Sequence, residues 1–135
     1  MKKSYILALL AYLIPTFPLG YAWHLVTFVD NYHRLDLFRD DVIIPLGLGS
    51  MLIQAAIFTW LYPRVFSTGR TKWLSGAIGF FAVFGTLGWS FMVLPVAAKY
   101  RMTSVPDFMT LETAFTILQY LIVAPLIALA HRDRG

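Results

Sequence analysis

The sequence predicts an all-α membrane protein, a bundle of four transmembrane helices in one domain. Its 135 residues are 59% hydrophobic and 13% charged, and four long apolar runs are separated by short polar segments. Soluble domains average about 45–50% apolar and about 25% charged residues, and a chain this small cannot bury so much apolar surface in water. We therefore expect most of the surface to face the lipid bilayer.

The absence of cysteine limits the chemistry. A disulfide framework, a thiolate zinc site, an iron–sulfur cluster and a cysteine nucleophile are all excluded. The net charge of +4 does not predict binding to nucleic acid, because the basic residues lie where membrane topology places them.

The first apolar run, residues 5–28, follows two lysines. It is longer than a signal-peptide core and has no small-x-small cleavage site, so we expect an uncleaved span. Pro15 and Pro18 near its middle predict a kink. A polar loop, residues 29–42, comes next. Three of its apolar side chains predict a short helix on the membrane surface: Leu35, Leu37 and Phe38.

The second span is predicted over residues 43–62. Asp40 and Asp41 precede it as N-caps, and Pro45 stands in its opening turn. Small residues early in this span allow another backbone to approach closely. They are Gly47, Gly49 and Ser50.

The third span, residues 73–96, follows a basic turn and is rich in small residues. Ser75 and Gly79 have the spacing by which membrane helices pack together. The fourth span is predicted over residues 112–130, with Glu112 as its opening residue. The carboxylates near the helix starts, at positions 36, 40, 41, 107 and 112, are interpreted as solvated caps.

The charge distribution predicts that both termini are cytoplasmic. The N-terminus, the 64–72 turn and the C-terminal tail hold seven of the eleven Lys and Arg residues and one of the seven acids. The other two loops hold four basic residues and six acids. Positive residues accumulate on the cytoplasmic side of a membrane.

Weak internal similarity predicts a duplicated helical hairpin. Residues 19–26 read LGYAWHLV and residues 87–94 read LGWSFMVL, while residues 51–57 read MLIQAAI and residues 116–122 read TILQYLI. Hairpin one then covers residues 5–62 and hairpin two residues 73–130. Because both hairpins start on the same side, their symmetry axis runs along the membrane normal.

His24 is the only histidine inside an apolar run, and Met92 is its counterpart in the repeat. Around a two-fold axis, the imidazole and the thioether would form an axial pair for haem or part of a copper site. The simpler interpretation is an interfacial packing residue beside Trp23, with no cofactor.

Gln54 and Gln119 each stand near the middle of a span. An amide in hydrocarbon needs a partner, so the two side chains either contact each other as helix glue or line the path of a solute. No Asp, Glu, Lys or Arg falls in the interior of a predicted span, whereas proton-coupled pumps and ion transporters normally need such a residue at depth. The chain also lacks a zinc-protease, serine-hydrolase or phosphate-loop motif.

The pattern Gly20-x2-Trp23-His24-x3-Phe28 closes the first span, with the Met-Leu-Ile-Gln of residues 51–54 in the second. In these features the chain resembles small bacterial inner-membrane proteins of unknown function, closely over the first hairpin and loosely over the second. The resemblance implies an inner-membrane location and no particular reaction. Gly20 and Trp23 are predicted to contact a helix or a solute.

The expected function is that of a non-enzymatic membrane protein that packs with itself or with a larger complex through small-residue faces. The alternative is a carrier or channel for a small uncharged solute, with the region 16–20 opposite Gln54 and Gln119. A third hypothesis is haem or copper binding through His24 and Met92.

Overall fold

The computed structural model describes residues 3–66 and 68–132, and these form helices and connecting loops without any strand. The helices are α1 (Lys3–Ala22), α2 (Val29–Leu35), α3 (Ile44–Val65), α4 (Trp73–Phe80), α5 (Thr86–Lys99) and α6 (Val105–His131). Two π-helical segments, Trp23–Thr27 and Phe81–Gly85, continue α1 and join α4 to α5.

Four helical stretches are long and apolar enough to cross a membrane, which confirms the predicted class. They are Lys3–Thr27, Ile44–Val65, Trp73–Lys99 and Val105–His131. Lys2 and Arg134, two of the basic residues that predicted the orientation, lie outside the described residues.

The fourth membrane helix begins seven residues before the predicted start at residue 112. Ser104 is its N-cap, since the Ser104 hydroxyl accepts a 3.3 Å hydrogen bond from the Asp107 backbone N–H. Pro106 lies in the first turn, where its fixed φ fits a helix and its missing N–H costs nothing. Glu112 therefore lies about two turns inside α6 and does not cap it.

The predicted caps of the second span are wrong. The N-cap of α3 is Ile43, and no side chain caps it. Asp41 instead forms a two-point ion pair with Arg39, with both N···O distances at 2.9 Å. The hydrogen bonds from Arg39 lower the pKa of the Asp41 carboxyl below its usual value. The short surface helix is α2, which ends at Leu35 and leaves the predicted Leu37 and Phe38 outside it.

The π-helical segment of the first span lies beyond its two prolines. Helix α1 continues through Pro15 and Pro18. The π-helical segment follows it, and here the Phe28 backbone N–H donates to the Trp23 carbonyl at 3.0 Å. A π-helical turn places an extra residue in the helix and re-aims the side chains around it. In this chain those side chains include His24.

Helix α6 is the centre of the bundle and packs against α1, α4 and α5, while α3 packs mainly on α1. Aromatic side chains fill the core between these helices, with Tyr12, Phe58, Phe80 and Tyr120 among them. The glycines at positions 79, 85 and 88 of the third span pack against aromatic rings of the same chain, whereas Ser75 and Ala82 are exposed. A Cβ on Gly88 would lie 3.2 Å from the Tyr120 hydroxyl oxygen, and one on Gly79 would lie 3.1 Å from the Phe66 ring.

The end of the bundle that carries α2 is called the α2 end below. A second apolar cluster closes it, formed by Tyr32, Leu35, Val93 and Phe108. Thr103 ties the 100–104 loop to α2, because its backbone N–H donates to the Leu35 carbonyl at 3.2 Å and its hydroxyl donates to the Arg34 carbonyl at 2.6 Å.

At the opposite end, His131 is the last residue of α6, one residue beyond the predicted end of the fourth span at residue 130. Its side chain is buried. Its ring stacks on Tyr62 with centroids 5.3 Å apart, and the Tyr5 ring meets its edge.

Candidate functional site

His24, Glu112 and Tyr32 form a polar cluster at the α2 end. The His24 Nδ1 lies 2.9 Å from the Gly20 carbonyl oxygen, and the Nε2 lies 3.2 Å from the Glu112 Oε1. The Tyr32 hydroxyl donates to the same Glu112 oxygen at 2.6 Å. The cluster therefore joins the end of the first span, α2 and α6 through one carboxylate.

Both ring nitrogens of His24 face oxygen atoms. The Gly20 carbonyl can only accept, so Nδ1 carries a proton. The bond between Nε2 and Glu112 Oε1 needs one further proton. When that proton lies on the imidazole, the contact is an ion pair between an imidazolium and a carboxylate. Both His24 ring nitrogens, the Tyr32 hydroxyl and the Glu112 Oε1 thus have partners within the chain.

Aromatic rings enclose the cluster and limit its contact with solvent. The Phe115 ring meets the edge of the His24 ring with centroids 4.6 Å apart, and the Tyr32 ring lies 5.0 Å away. Phe38 stacks on Tyr32 at 4.4 Å with an interplanar angle of 9°. The exposed fractions of the His24 and Glu112 side chains are only 20% and 16%. An ion pair shielded in this way is stronger than one in open water.

The electrostatics keep Tyr32 protonated. Burial of its ring, the negative charge of Glu112 and the hydrogen bond to that carboxylate all raise the pKa of Tyr32 above its usual value. A phenol held neutral beside a carboxylate acts as a permanent hydrogen-bond donor. Tyr32 therefore fixes the orientation of Glu112 and does not exchange protons with it near neutral pH.

The cluster lies near one boundary of the apolar zone. The part of α6 from Glu112 to His131 is about 29 Å long, close to the thickness of a bilayer core of about 30 Å. The first two turns of α6 extend beyond it by about 10 Å. Glu112 is consequently inside a helix but outside the middle of the membrane.

A second polar layer lies near mid-span, where Gln54 and Gln119 both reach Tyr12. The Gln119 side-chain N–H donates to the Tyr12 hydroxyl at 3.4 Å, and that hydroxyl donates to the Gln54 Oε1. The two glutamines predicted as a polar centre are thus joined through a tyrosine and not by a direct contact. The Tyr12 side chain is fully buried.

Gln54 differs from Gln119 because it lies at the surface of the bundle. Its amide nitrogen donates to no residue within the described ranges 3–66 and 68–132. Gln54 is about 15 Å along α3 from Ile44, and this distance places it near the bilayer middle. An amide N–H without an acceptor is costly in hydrocarbon.

Three other residues share this side of α3. Steps of three or four residues place them in one line with Gln54. We call this line the α3 stripe: Gly47, Ser50, Gln54 and Ile57. All four residues are exposed, and a Cβ built on Gly47 would meet no atom within 4 Å. No part of the described chain covers this stripe, whereas Gly79, Gly85 and Gly88 of the third span lie against aromatic rings of the chain.

Gly20 and Trp23, the other predicted contact positions, pack inside the bundle. A Cβ on Gly20 would lie 3.5 Å from the Met51 side chain and 3.9 Å from the Phe115 ring. The Trp23 ring packs on Phe28, with centroids 4.4 Å apart, and on Phe115 of α6, with centroids 5.8 Å apart. Their contacts are therefore with neighbouring helices.

The structure does not bring Met92 to His24 through any described contact. Met92 is 66% exposed on α5, whereas both His24 nitrogens are engaged by Gly20 and Glu112. Within the described residues there is also no group of three or more His, Asp or Glu side chains that could hold a metal ion. The haem or copper hypothesis has no geometric support in these contacts.

Neither Glu112 nor Tyr32 was predicted as a partner of His24. The available signal was the Ser104-x2-Asp107 cap with Pro106 between, which marks a helix start well before residue 112. The burial of Tyr32 had no local signal, since tyrosine is common in polar loops.

No family model, no curated protein and no solved structure matches this chain significantly. The resemblance to small bacterial inner-membrane proteins therefore stays a prediction.

Proposed function

We propose that this chain is a non-enzymatic membrane protein that assembles side by side with a second copy of itself through the α3 stripe. The observation that carries this proposal is Gln54, whose amide nitrogen has no acceptor at the depth where an acceptor is most needed. Across a two-fold axis, the Gln54 amides of two copies would satisfy each other, as polar side chains do between membrane helices.

The neighbours of Gln54 favour the same contact. Gly47 leaves open space for an opposing backbone, and the Ser50 hydroxyl is turned back onto the Gly47 carbonyl at 2.8 Å. Residues that are small, and whose polar groups already form hydrogen bonds within their own helix, let two helices approach closely. The His24–Glu112–Tyr32 cluster supports this assembly indirectly. Its hydrogen bonds lie within one chain and hold the end of the first span, α2 and α6 together at the α2 end.

The orientation, the location and the duplication belong to this proposal. The excess of Lys and Arg in the terminal segments and the 64–72 turn supports cytoplasmic termini. The resemblance noted above supports the inner membrane of a bacterium as the location. The repeated LG-aromatic pattern supports duplication of a hairpin.

Cross-linking in native membranes, followed by a mass measurement in mild detergent, tests the proposal. We expect a dimer from the wild-type chain. Gln54→Leu should reduce it, because the amide contact between helices is worth about 1–2 kcal/mol. Ala56→Ile, on the opposite side of α3, is the matched control and should leave the dimer intact. A wild-type chain that is monomeric in both measurements would refute the proposal.

The hydrogen-bonded series Gln119, Tyr12 and Gln54 favours one second function, a carrier or channel for a small uncharged solute. These groups lead from the core of the bundle to its lipid-facing surface. Uptake by vesicles should then fall in the double variant Gln54→Leu, Gln119→Leu. Unchanged uptake would count against transport, and a loss of uptake with an intact dimer would favour it.

A further inference from the structure

A separate polar cavity lies at the α2 end, between α2 and the first two turns of α6. Its volume is about 300 Å³, which is at the lower limit of small-molecule sites. Two leucines form the apolar part of its wall, and the remaining lining residues are polar or charged. Its lining consists of Asn31, Arg34, Leu35, Thr103, Asp107 and Leu111.

The cavity presents one cation and one anion that do not neutralise each other. Neither the Arg34 guanidinium nor the Asp107 carboxylate forms an ion pair or a side-chain hydrogen bond with another residue of the part described. Asp107 is held in the helix through its backbone, whose N–H donates to Ser104. Both charged groups are therefore free to bind a ligand. By contrast, Arg39 and Asp41 on the neighbouring loop satisfy each other.

The walls of the cavity are held in place by contacts that do not use these charges. Thr103 binds the carbonyls of Arg34 and Leu35 and so connects the 100–104 loop to the last turn of α2. Leu35 is buried in the apolar cluster below. The site thus has a fixed floor and two exposed charged side chains at its rim.

The depth of the cavity indicates where its ligand comes from. It is lined by the part of α6 before Glu112, which extends about 10 Å beyond the apolar zone. The polar headgroup region of a bilayer is about 5–8 Å thick on each side of the core. The charged rim consequently lies at the level of phospholipid headgroups.

We propose that this cavity binds a zwitterion made of a phosphate and an ammonium group, with the phosphate on Arg34 and the ammonium on Asp107. A guanidinium binds phosphate through two parallel hydrogen bonds, and a carboxylate accepts hydrogen bonds from a primary ammonium. The Asn31 amide and the Thr103 hydroxyl supply further polar groups at the rim. The headgroup of phosphatidylethanolamine carries this pair of charges at this depth.

The test measures lipid binding to the purified full chain in nanodiscs by native mass spectrometry. Phosphatidylethanolamine is the probe, and phosphatidylglycerol, which has the phosphate without the ammonium, is the comparison lipid. Arg34→Gln and Asp107→Asn should each weaken phosphatidylethanolamine binding about tenfold. Arg34→Lys keeps the positive charge but loses the paired hydrogen bonds of the guanidinium, so it should bind more weakly than the wild type and more tightly than Arg34→Gln.

The double variant Arg39→Gln, Asp41→Asn is the matched control, since it removes the same two charges from a self-paired site nearby. It should bind phosphatidylethanolamine as the wild type does. Asp107→Asn should not change binding of phosphatidylglycerol. Equal binding of both lipids, or unchanged binding in Arg34→Gln and Asp107→Asn, would overturn the proposal.

A competition experiment distinguishes the source of the ligand. Soluble phosphoethanolamine that does not displace the lipid at millimolar concentration would assign the site to the membrane. Displacement that requires both Arg34 and Asp107 would support the same chemistry and assign the site to a soluble zwitterion.

Discussion

Replacing Tyr32 with phenylalanine removes one hydroxyl from the polar cluster and leaves the aromatic ring in place. The ring is fully buried and stacks on Phe38, so its apolar packing should persist. The lost interaction is the 2.6 Å hydrogen bond to Glu112. A hydrogen bond to a charged group contributes about 1.5–3 kcal/mol, and we expect the variant to lose this much stability.

A double-mutant cycle with Glu112→Gln assigns the loss to this pair. An amide at position 112 keeps the shape of the side chain but not its charge, so the Tyr32 hydroxyl bond falls to about 0.5–1.5 kcal/mol. The two substitutions should therefore couple by about 1 kcal/mol or more. Tyr100→Phe is the control, because the Tyr100 side chain is 60% exposed and should change stability by less than about 0.5 kcal/mol.

The assay is reversible unfolding in mixed micelles, with SDS as the denaturant and tryptophan fluorescence and circular dichroism as readouts. A loss in Tyr32→Phe no larger than in Tyr100→Phe would refute the proposed role of the cluster. Strict additivity of Tyr32→Phe and Glu112→Gln would show that the two groups do not interact in the folded chain.

Three further predictions use the same unfolding assay. Because the pKa of Tyr32 is raised in the folded chain, its stabilising contribution is complete below about pH 10 and is lost as the pH rises further. Above that pH, the free energy of unfolding should fall more steeply with pH for the wild type than for Tyr32→Phe. An equal dependence on pH in the two proteins would contradict this role of the Tyr32 hydroxyl. Gly79→Ala places a Cβ 3.1 Å from the Phe66 ring, whereas Gly49→Ala meets open space. Gly79→Ala should therefore be less stable than Gly49→Ala by about 1–3 kcal/mol. Equal stabilities of the two variants would mean that the Phe66 ring moves aside freely. Ser104→Ala removes the cap of α6 and should cost about 1 kcal/mol, and a variant as stable as wild type would show that the helix start does not depend on this hydroxyl.

The membrane helices could be predicted from the sequence because their length and hydropathy are local properties. The four predicted runs correspond to four helices that are long and apolar enough to cross a bilayer. The predicted positions of the helix ends were less accurate where polar residues continue a helix beyond the apolar zone. Hydropathy placed the start of the last span at Glu112, whereas Ser104 and Pro106 start α6 two turns earlier.

The candidate site depended on information that no local pattern carries. His24 was predicted as the sharpest polar position, but its partners stand 8 and 88 residues away and are set by how α1, α2 and α6 pack. Gln54 and Gln119 were predicted to form one polar layer, but the participation of Tyr12, whose hydroxyl lies between them, was not predicted. Met92 was chosen by its place in the repeat, and repeat position does not determine which face of a helix is buried.

The measurement that tests the central claim most directly is the stoichiometry of the full chain in lipid vesicles, obtained by single-molecule photobleaching over a range of protein-to-lipid ratios. We expect a reversible dimer that Gln54→Leu weakens by about 5- to 30-fold. Gly47→Ile should weaken it through steric contact, while Ala56→Ile should not. A wild-type chain that stays monomeric at every ratio, or a dimer insensitive to both Gln54→Leu and Gly47→Ile, would contradict the claim that the α3 stripe is the contact surface.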